Sequence, residues 1–157
     1  MKTNSGKKGA GMPVVRNPQF NFKEGFCWNN VLNPNARLLK VKVKNPSVND
    51  VGSMSLSSLT ENVPNFYLIC LLNSDLLFDY YREFINCTVN IQINDIKQVP
   101  IIVPSKKELD RLKELYDKAV LVKKKELKGE LSEFDSQDKF ASIEKEINNI
   151  VGQLYLI

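Results

Sequence analysis

The sequence predicts an α+β fold, in which a small mixed sheet with packed helices is followed by a C-terminal antiparallel two-helix arm. The chain has 157 residues, of which 43% are hydrophobic and 25% charged, as is typical of one soluble domain with an ordinary core. Apolar and polar residues alternate at several places before Pro104, whereas after it apolar residues recur with the helical period. We therefore expect a flexible lead-in at residues 1–11, a globular domain at 12–104 and a helical arm at 105–157.

The first strands are predicted from alternating residues. Residues 20–22 and 26–28 alternate around a turn at 23–25, which indicates a strand pair. Residues 38–44 alternate more regularly, and the two faces would carry Leu39, Val41 and Val43 on one side and Lys40, Lys42 and Lys44 on the other. The lysine face either protects a sheet edge from aggregation or contacts phosphates. On this strand alone, edge protection is favoured, because exposed charge is usually only solvated.

Two helices are predicted in the middle of the chain. Pro64 suits the first turn of a helix over the apolar run "NFYLICLL", which indicates a buried helix. Asn73-Ser74 then offers a cap for a second helix from Asp75 to about Phe84. Two buried helices would form the back of a core.

Two short strands are predicted next. Val89, Ile91 and Ile93 alternate with polar residues, and Asn94-Asp95 would turn the chain. Residues 99–103 are β-branched and bounded by prolines, which confine and end a strand because proline cannot donate to a ladder.

The C-terminal third predicts a helical pair. Ser105 and Glu108 form a capping box that starts a helix reaching about Lys128, and a break at 129–137 precedes a second helix. The apolar stripes of the two helices would pair antiparallel, and they consist of Leu109, Leu112, Leu115, Tyr116, Ala119 and Val122 in the first and Phe140, Ile143, Ile147, Ile150, Val151 and Leu154 in the second.

Charge is divided unevenly along the chain. Residues 1–49 contain nine basic residues against the single acid Glu24, whereas the remaining chain has more acidic than basic residues. Such asymmetry indicates a polyanionic partner for the basic part, although a basic tail could produce some of it.

Several chemistries are not expected from these residues. Histidine is absent, which excludes imidazole general bases and histidine-ligated metal sites, and no glycine-rich phosphate loop occurs. The odd count of three cysteines fits no zinc spacing, so we expect Cys27, Cys70 and Cys87 to be reduced and structural. We expect no cofactor and no catalysis by this chain alone. No apolar run is long enough to span a membrane and no secretory signal is evident, so a cytoplasmic location is expected.

Several short motifs follow one another in a characteristic order. They are the turn Gly25-Phe26-Cys27-Trp28, the junction Leu72-Asn73-Ser74, the segment "NCTVNIQINDIKQVPIIVP" and Leu154-Tyr155 near the end. Together they resemble the TaqI-like C-terminal specificity domain, the target-recognition domain of adenine-N6 DNA methyltransferases and of fused type II restriction-modification enzymes. The likeness covers most of residues 12–157. Cys87 stands where the family favours proline, and Val99 stands where it favours leucine.

The resemblance implies a module that recognises a short duplex sequence for a methyltransferase, with residues 12–104 as the DNA target-recognition domain. The catalytic Asn-Pro-Pro-aromatic motif of such enzymes is not found, since none of the three Asn-Pro pairs is followed by the required residues. Their S-adenosylmethionine loop is not found either. The implied partners are double-stranded DNA and a methyltransferase catalytic domain or subunit, possibly with a nuclease, and no membrane. In type I specificity subunits a similar strand-proline-helix exit leads to helices that act as a spacer and docking surface.

In this context the lysine face is expected to contact phosphates, which give affinity without sequence preference. Bases would be read by side chains with bidentate geometry, arginine for guanine and asparagine or glutamine for adenine. The expected phosphate contacts are Lys23, Lys40, Lys42 and Lys44. The candidates for reading bases are Arg16, Asn17, Asn29, Asn30, Asn35, Arg37, Asn90 and Gln92.

A protein-interaction module remains the alternative. Its terminal helical pair would dock a partner, and its basic strand would only protect a sheet edge.

Overall fold

The computed structural model describes residues 18–49 and 52–156. In these residues one antiparallel sheet has the strand order β2-β1-β3, with β1 at Gly25–Asn29, β2 at Lys42–Lys44 and β3 at Ser53–Leu56. Because side chains alternate across a strand, β1 directs the buried Phe26 and Trp28 to the inner face of the sheet. The sheet and the helices packed on it confirm the α+β class.

The helices described in the structure lie mostly where the sequence predicts them. They are α1 (Asn65–Leu72), α2 (Asp75–Tyr80), which continues as a π-helix at Tyr81–Ile85, α3 (Ile93–Ile96), α4 (Lys106–Leu127) and α5 (Glu133–Tyr155). The Ser74 side chain caps α2, and Ser105 with Glu108 forms the predicted capping box of α4. The break between α4 and α5 is shorter than predicted, because the Ser132 hydroxyl accepts from Asp135 N–H and starts α5 early.

One hydrophobic cluster joins the sheet to all three longer helices. Trp28 of β1, Leu71 of α1, Leu112 of α4 and Val151 of α5 all belong to it. Helix α1 is apolar on every side because it is surrounded, with β1, β2, α2, α4 and α5 all in contact with it. Helices α4 and α5 pack antiparallel, as predicted. The early Arg111 of α4 pairs with Glu146, and the late Glu126 of α4 accepts from the hydroxyl of Ser136 at the start of α5.

The predicted strand at residues 20–22 is wrong. Pro18–Phe20 forms a 3-10 turn, and Phe22 has a φ of 57°, in the left-handed region, which cannot continue a strand. Its backbone N–H donates to the carbonyl of Ser47 at 3.0 Å. The partners of β1 are instead β2 and β3, which come later in the chain.

The predicted strand at residues 38–44 is correct only for its last three residues. Lys40 has a φ of 54°, so the alternation of residues 38–41 is not the alternation of a strand. Val41 N–H donates to Asn73 Oδ1 at 2.8 Å, and Asn73 Nδ2 donates back to the Val41 carbonyl at 2.8 Å. The amide of Asn73 thus takes the place of a neighbouring strand beside Val41.

The expectation of three exposed lysines on one face is wrong for Lys44. Lys44 is only 5% exposed, and its ammonium donates to the carbonyls of Lys23 at 2.6 Å and Ser47 at 2.9 Å. Lys40 and Lys42 are exposed. Lys44 therefore links two loops at the end of β2 through the hydrogen bonds of its ammonium, and its charge is not displayed on the surface.

Replacing Lys44 with methionine is expected to lower the free energy of unfolding by about 2 kcal/mol. The replacement removes two charge-assisted hydrogen bonds and leaves two carbonyls without that donor. Urea unfolding followed by circular dichroism measures the change. Lys42→Met is the matched control on the same strand, since Lys42 is exposed, and it should cost less than about 0.5 kcal/mol. Equal effects of the two substitutions would contradict this role of Lys44.

The strand predicted at Val89, Ile91 and Ile93 is also wrong. Only a single bridge joins Asn90 to Val31, and Ile93 already begins α3. The cause is Asp95, whose carboxylate accepts from the Gln92 backbone N–H at 2.9 Å and so caps a helical turn. Asn94 and Asp95 therefore lie within α3.

Residue 99 lies in a bend, and residues 100–103 have no regular secondary structure and pair with no strand of the described residues, so the predicted strand there is wrong. Two tyrosine hydroxyls donate hydrogen bonds to backbone carbonyls of this segment instead. Tyr67 of α1 donates to the Ile102 carbonyl at 2.7 Å, and Tyr155 of α5 donates to the Pro100 carbonyl at 2.6 Å. The two tyrosines thus hold the connection between α3 and α4 against helices α1 and α5.

Candidate nucleic-acid interface

Two segments far apart in sequence bring four of the predicted base-reading amides together. The Asn30 carbonyl accepts from Ile91 N–H at 2.9 Å, and Leu32 N–H donates to the Val89 carbonyl at 2.7 Å. These bonds and the bridge between them fix residues 30–32 antiparallel to residues 89–91. The amide cluster, as we call it, consists of Asn29, Asn30, Asn90 and Gln92. Asn30 is half-buried, and the other three side chains are exposed.

A hydrogen-bonded hub holds the second of these segments. A single oxygen of Asp95, Oδ2, accepts from Asn86 Nδ2 at 2.8 Å, from the Gln92 backbone N–H at 2.9 Å and from the Tyr81 hydroxyl at 3.3 Å. Asn86 Nδ2 also donates to the Asn90 carbonyl at 2.9 Å. Burial, followed by the Asp95 charge, raises the pKa of Tyr81, so its hydroxyl stays protonated and donates to the carboxylate.

Further bonds fix residues 86–92 from the other sides. Asn86 Oδ1 accepts from both the backbone N–H and the hydroxyl of Thr88, and the Arg82 guanidinium donates to the Thr88 carbonyl at 2.6 Å. The Trp28 indole N–H donates to the Ile91 carbonyl at 3.3 Å. Because the backbone is held by bonds from β1 and from the π-helix, Asn90 and Gln92 are presented on a fixed support.

The outer face of the sheet lies next to the amide cluster and is also polar. Cross-strand register places Lys42 opposite Cys27, and Asn29 lies two residues further along β1 on the same face. Ser53 pairs with Asn29 and Ser55 with Cys27, so small polar residues of β3 complete this face. One exposed lysine therefore shares a sheet face with one member of the amide cluster.

Arg37 and Lys40 lie beside helix α5, and Lys42 is also near this region. Lys40, together with Lys42, lines a cavity of about 340 Å³ whose other walls include Ile69 of α1 and Ile143 of α5. Arg37 lines an adjoining cleft of about 460 Å³. Both cavities are thus flanked by basic residues from the same segment.

Acidic groups occupy this region as well. Glu144 lines both cavities, and Asp75 lines the one beside Arg37. Burial, followed by the charge of Asp75, raises the pKa of the Glu144 carboxyl. Glu144 thus lies near both Lys42 and Arg37, whereas Asp75 lines only the cleft of Arg37, so Arg37 has one more acidic neighbour that would compete with any phosphate for its charge.

The remaining predicted residues are dispersed. Lys23 is exposed and places its ammonium 5.6 Å from the centre of the Phe20 ring, whereas Lys44 is buried. Asn35 is exposed in the loop after β1. Arg16 and Asn17 lie outside the described residues.

Three residues that support the candidate interface were not predicted from the sequence. Asn73 bonds to Val41, which is 32 positions away and is not indicated by any local pattern, whereas Asn86 and Asp95 bond to backbone groups four and three positions away. One signal existed for Asp95: in "QIND" an acidic residue stands three positions after a possible cap, as in a helix start.

The comparisons with known proteins give no family for this chain. No protein-family model matches it, and no curated protein matches it. In the described part of the chain, no helix has the length and apolar character needed to cross a membrane.

Proposed function

We propose that this chain is a sequence-specific target-recognition module for double-stranded DNA, serving an adenine-N6 methyltransferase of a restriction-modification system whose catalytic groups lie in another domain or subunit. The observation that carries the proposal is the amide cluster, because backbone hydrogen bonds hold residues of two distant segments side by side. The sequence motifs at residues 25–28 and 72–74 and the basic first third support the same function.

The proposed mechanism divides the work between two kinds of side chain. Asn29, Asn90 and Gln92 carry exposed amides, which can pair with both the N6 amino group and N7 of adenine in the major groove. Lys42, and Lys23 at the other end of the sheet, would hold the duplex through its phosphates. A fixed support matters here, because a flexible loop would lose conformational freedom on binding.

A salt titration of duplex binding tests the phosphate contact. Lys42→Ala is expected to weaken binding to every duplex alike and to reduce the slope of log K against log salt by about 0.9, the amount for one released contact. Fluorescence anisotropy with a labelled duplex measures the slope. Lys139→Ala, an exposed lysine on α5, is the matched control and should leave the slope unchanged. If Lys42→Ala also leaves it unchanged, Lys42 only protects the sheet edge.

Substituting the amides should have a different effect. Asn90→Ala is expected to cost about 1 to 3 kcal/mol on the preferred site and much less on other duplexes, with the salt slope unaltered. A uniform loss on all duplexes would contradict base reading by Asn90. If the parent chain binds no duplex even at low salt, a protein-interaction module is the better account.

A further inference from the structure

The outer side of α2 and its π-helical extension carries an exposed apolar stripe. Leu76, Tyr80 and Phe84 are 40%, 36% and 75% exposed and follow one another at intervals of four residues, so they lie along one side of the helix. The Tyr80 and Phe84 rings pack with centroids 5.2 Å apart. A contiguous apolar stripe of this kind marks an interaction surface more often than isolated exposed residues do.

An acidic row runs beside the stripe. Asp79 and Glu83 each precede a ring of the stripe by one position and are exposed. The one basic residue of this segment, Arg82, uses its guanidinium on the Thr88 carbonyl at 2.6 Å. The surface therefore combines aromatic side chains with negative charge along one edge. We call it the α2 surface: Leu76, Asp79, Tyr80, Glu83 and Phe84.

The opposite side of the same helix is anchored in the core. Leu77 and Tyr81 are at most 1% exposed, and the Tyr81 hydroxyl donates to Asp95. The wider π turn, closed by the bond from Asn86 N–H to the Tyr81 carbonyl at 2.9 Å, keeps Tyr81 inward while Phe84 is outward. Such π turns occur frequently at functional sites. The rings are thus displayed by a helix that is held on its other side.

We propose that the α2 surface docks a helix of a partner protein whose apolar residues are flanked by lysine or arginine. The aromatic pair would enter between the partner's apolar side chains, and Asp79 and Glu83 would face its basic residues. Complementary charge selects this occupant, because an acidic or uncharged helix would leave the carboxylates opposed or unpaired. The inference does not depend on whether the chain binds DNA.

Two synthetic helix-forming peptides of about 18 residues provide the probes. Both carry leucines at intervals of four, flanked by lysines in one peptide and by glutamates in the other. By fluorescence anisotropy the lysine peptide should bind, and the glutamate peptide should bind at least about tenfold more weakly. Phe84→Ser should weaken binding of the lysine peptide by about tenfold or more. Phe134→Ser, an equally exposed phenylalanine at the start of α5, is the control and should change nothing.

The double charge reversal Asp79→Lys with Glu83→Lys should reverse the preference, so that the glutamate peptide binds better. Adhesion through apolar contact alone cannot produce that reversal. Both substituted positions are exposed, and circular dichroism with thermal unfolding verifies that each variant folds. The proposal is overturned if Phe84→Ser binds as the parent does, or if the charge reversal leaves the order of the two peptides unchanged. Self-association of the parent that Phe84→Ser abolishes in sedimentation would also overturn it, because the occupant would then be a second copy.

Discussion

Asp95→Ala is expected to lower the free energy of unfolding by about 3 kcal/mol and to abolish sequence preference in DNA binding. One carboxylate oxygen holds Asn86, the Gln92 backbone and the Tyr81 hydroxyl, and hydrogen bonds to a charged acceptor are individually strong. Without it the segment that carries Asn90 and Gln92 loses its support, while the proposed phosphate contact of Lys42 is not altered. Urea unfolding and duplex competition assays measure the two effects.

Asp95→Asn provides the graded comparison. An amide oxygen in place of Oδ2 still accepts from the same donors but carries no full charge, so a loss of about 1 kcal/mol is expected. Asp110→Ala, which removes an exposed carboxylate on α4, should cost less than about 0.5 kcal/mol. If Asp95→Ala unfolds as the parent does, or loses stability but keeps full sequence preference, the hub does not position the amide cluster.

Asn73→Asp should also destabilise the protein by about 3 kcal/mol. The Asn73 amide donates to the Val41 carbonyl and accepts from the Val41 N–H, and both bonds are 2.8 Å long. A carboxylate can still accept but cannot donate, so it would face the Val41 carbonyl with repulsion and with no hydrogen bond. Differential scanning calorimetry and urea unfolding at neutral pH would measure the loss.

The pH dependence separates this explanation from a general packing defect. Protonation would let the aspartic acid donate to the carbonyl again, so part of the stability lost in Asn73→Asp should return as the pH falls through the range in which that carboxyl titrates. Asn73→Ala, which loses both bonds without adding charge, should cost about 2 kcal/mol and show no such recovery. A constant difference between the parent and Asn73→Asp at every pH would contradict the reciprocal bond.

Helices could be predicted from the sequence because their signals are local. The capping box at Ser105 and Glu108, the Ser74 cap and the stripes of α4 and α5 depend on residues three or four positions apart, and all of them are present in the structure. The apolar run of α1 also indicated burial correctly, since a helix without a polar side must be surrounded.

Strands were predicted less well, because an alternation of apolar and polar residues does not determine the backbone φ and ψ angles. Phe22 and Lys40 have positive φ values, which interrupt alternating segments without changing the pattern of side chains. Residues 99–103 have strand-like composition, yet Tyr67 and Tyr155 take up their carbonyls. A strand also needs a partner, and pairing between distant segments is not visible in local sequence.

The types of residue in the candidate interface were predicted from the sequence, but their arrangement in space was not. Asn90 and Gln92 were selected as amides that could read adenine, but their position next to residues 30–32 requires the long-range backbone pairing near Ile91. Lys44 and Lys42 are both lysines of β2. Of the two, only Lys44 is buried, because the loops of Lys23 and Ser47 surround it and accept hydrogen bonds from its ammonium. Residue type therefore indicates the chemistry of a surface, whereas burial decides which residues belong to it.

Selection from a pool of random-sequence duplexes tests the central claim most directly. The purified chain is mixed with the pool at moderate salt, bound duplexes are separated and sequenced, and Asn90→Ala is carried through in parallel. We predict that the parent enriches a short motif containing adenine, that raising the salt weakens binding steeply, and that Asn90→Ala loses preference at one position of the motif. Recovery of a pool as random as the starting one, at a salt concentration where the chain does bind DNA, would contradict target recognition.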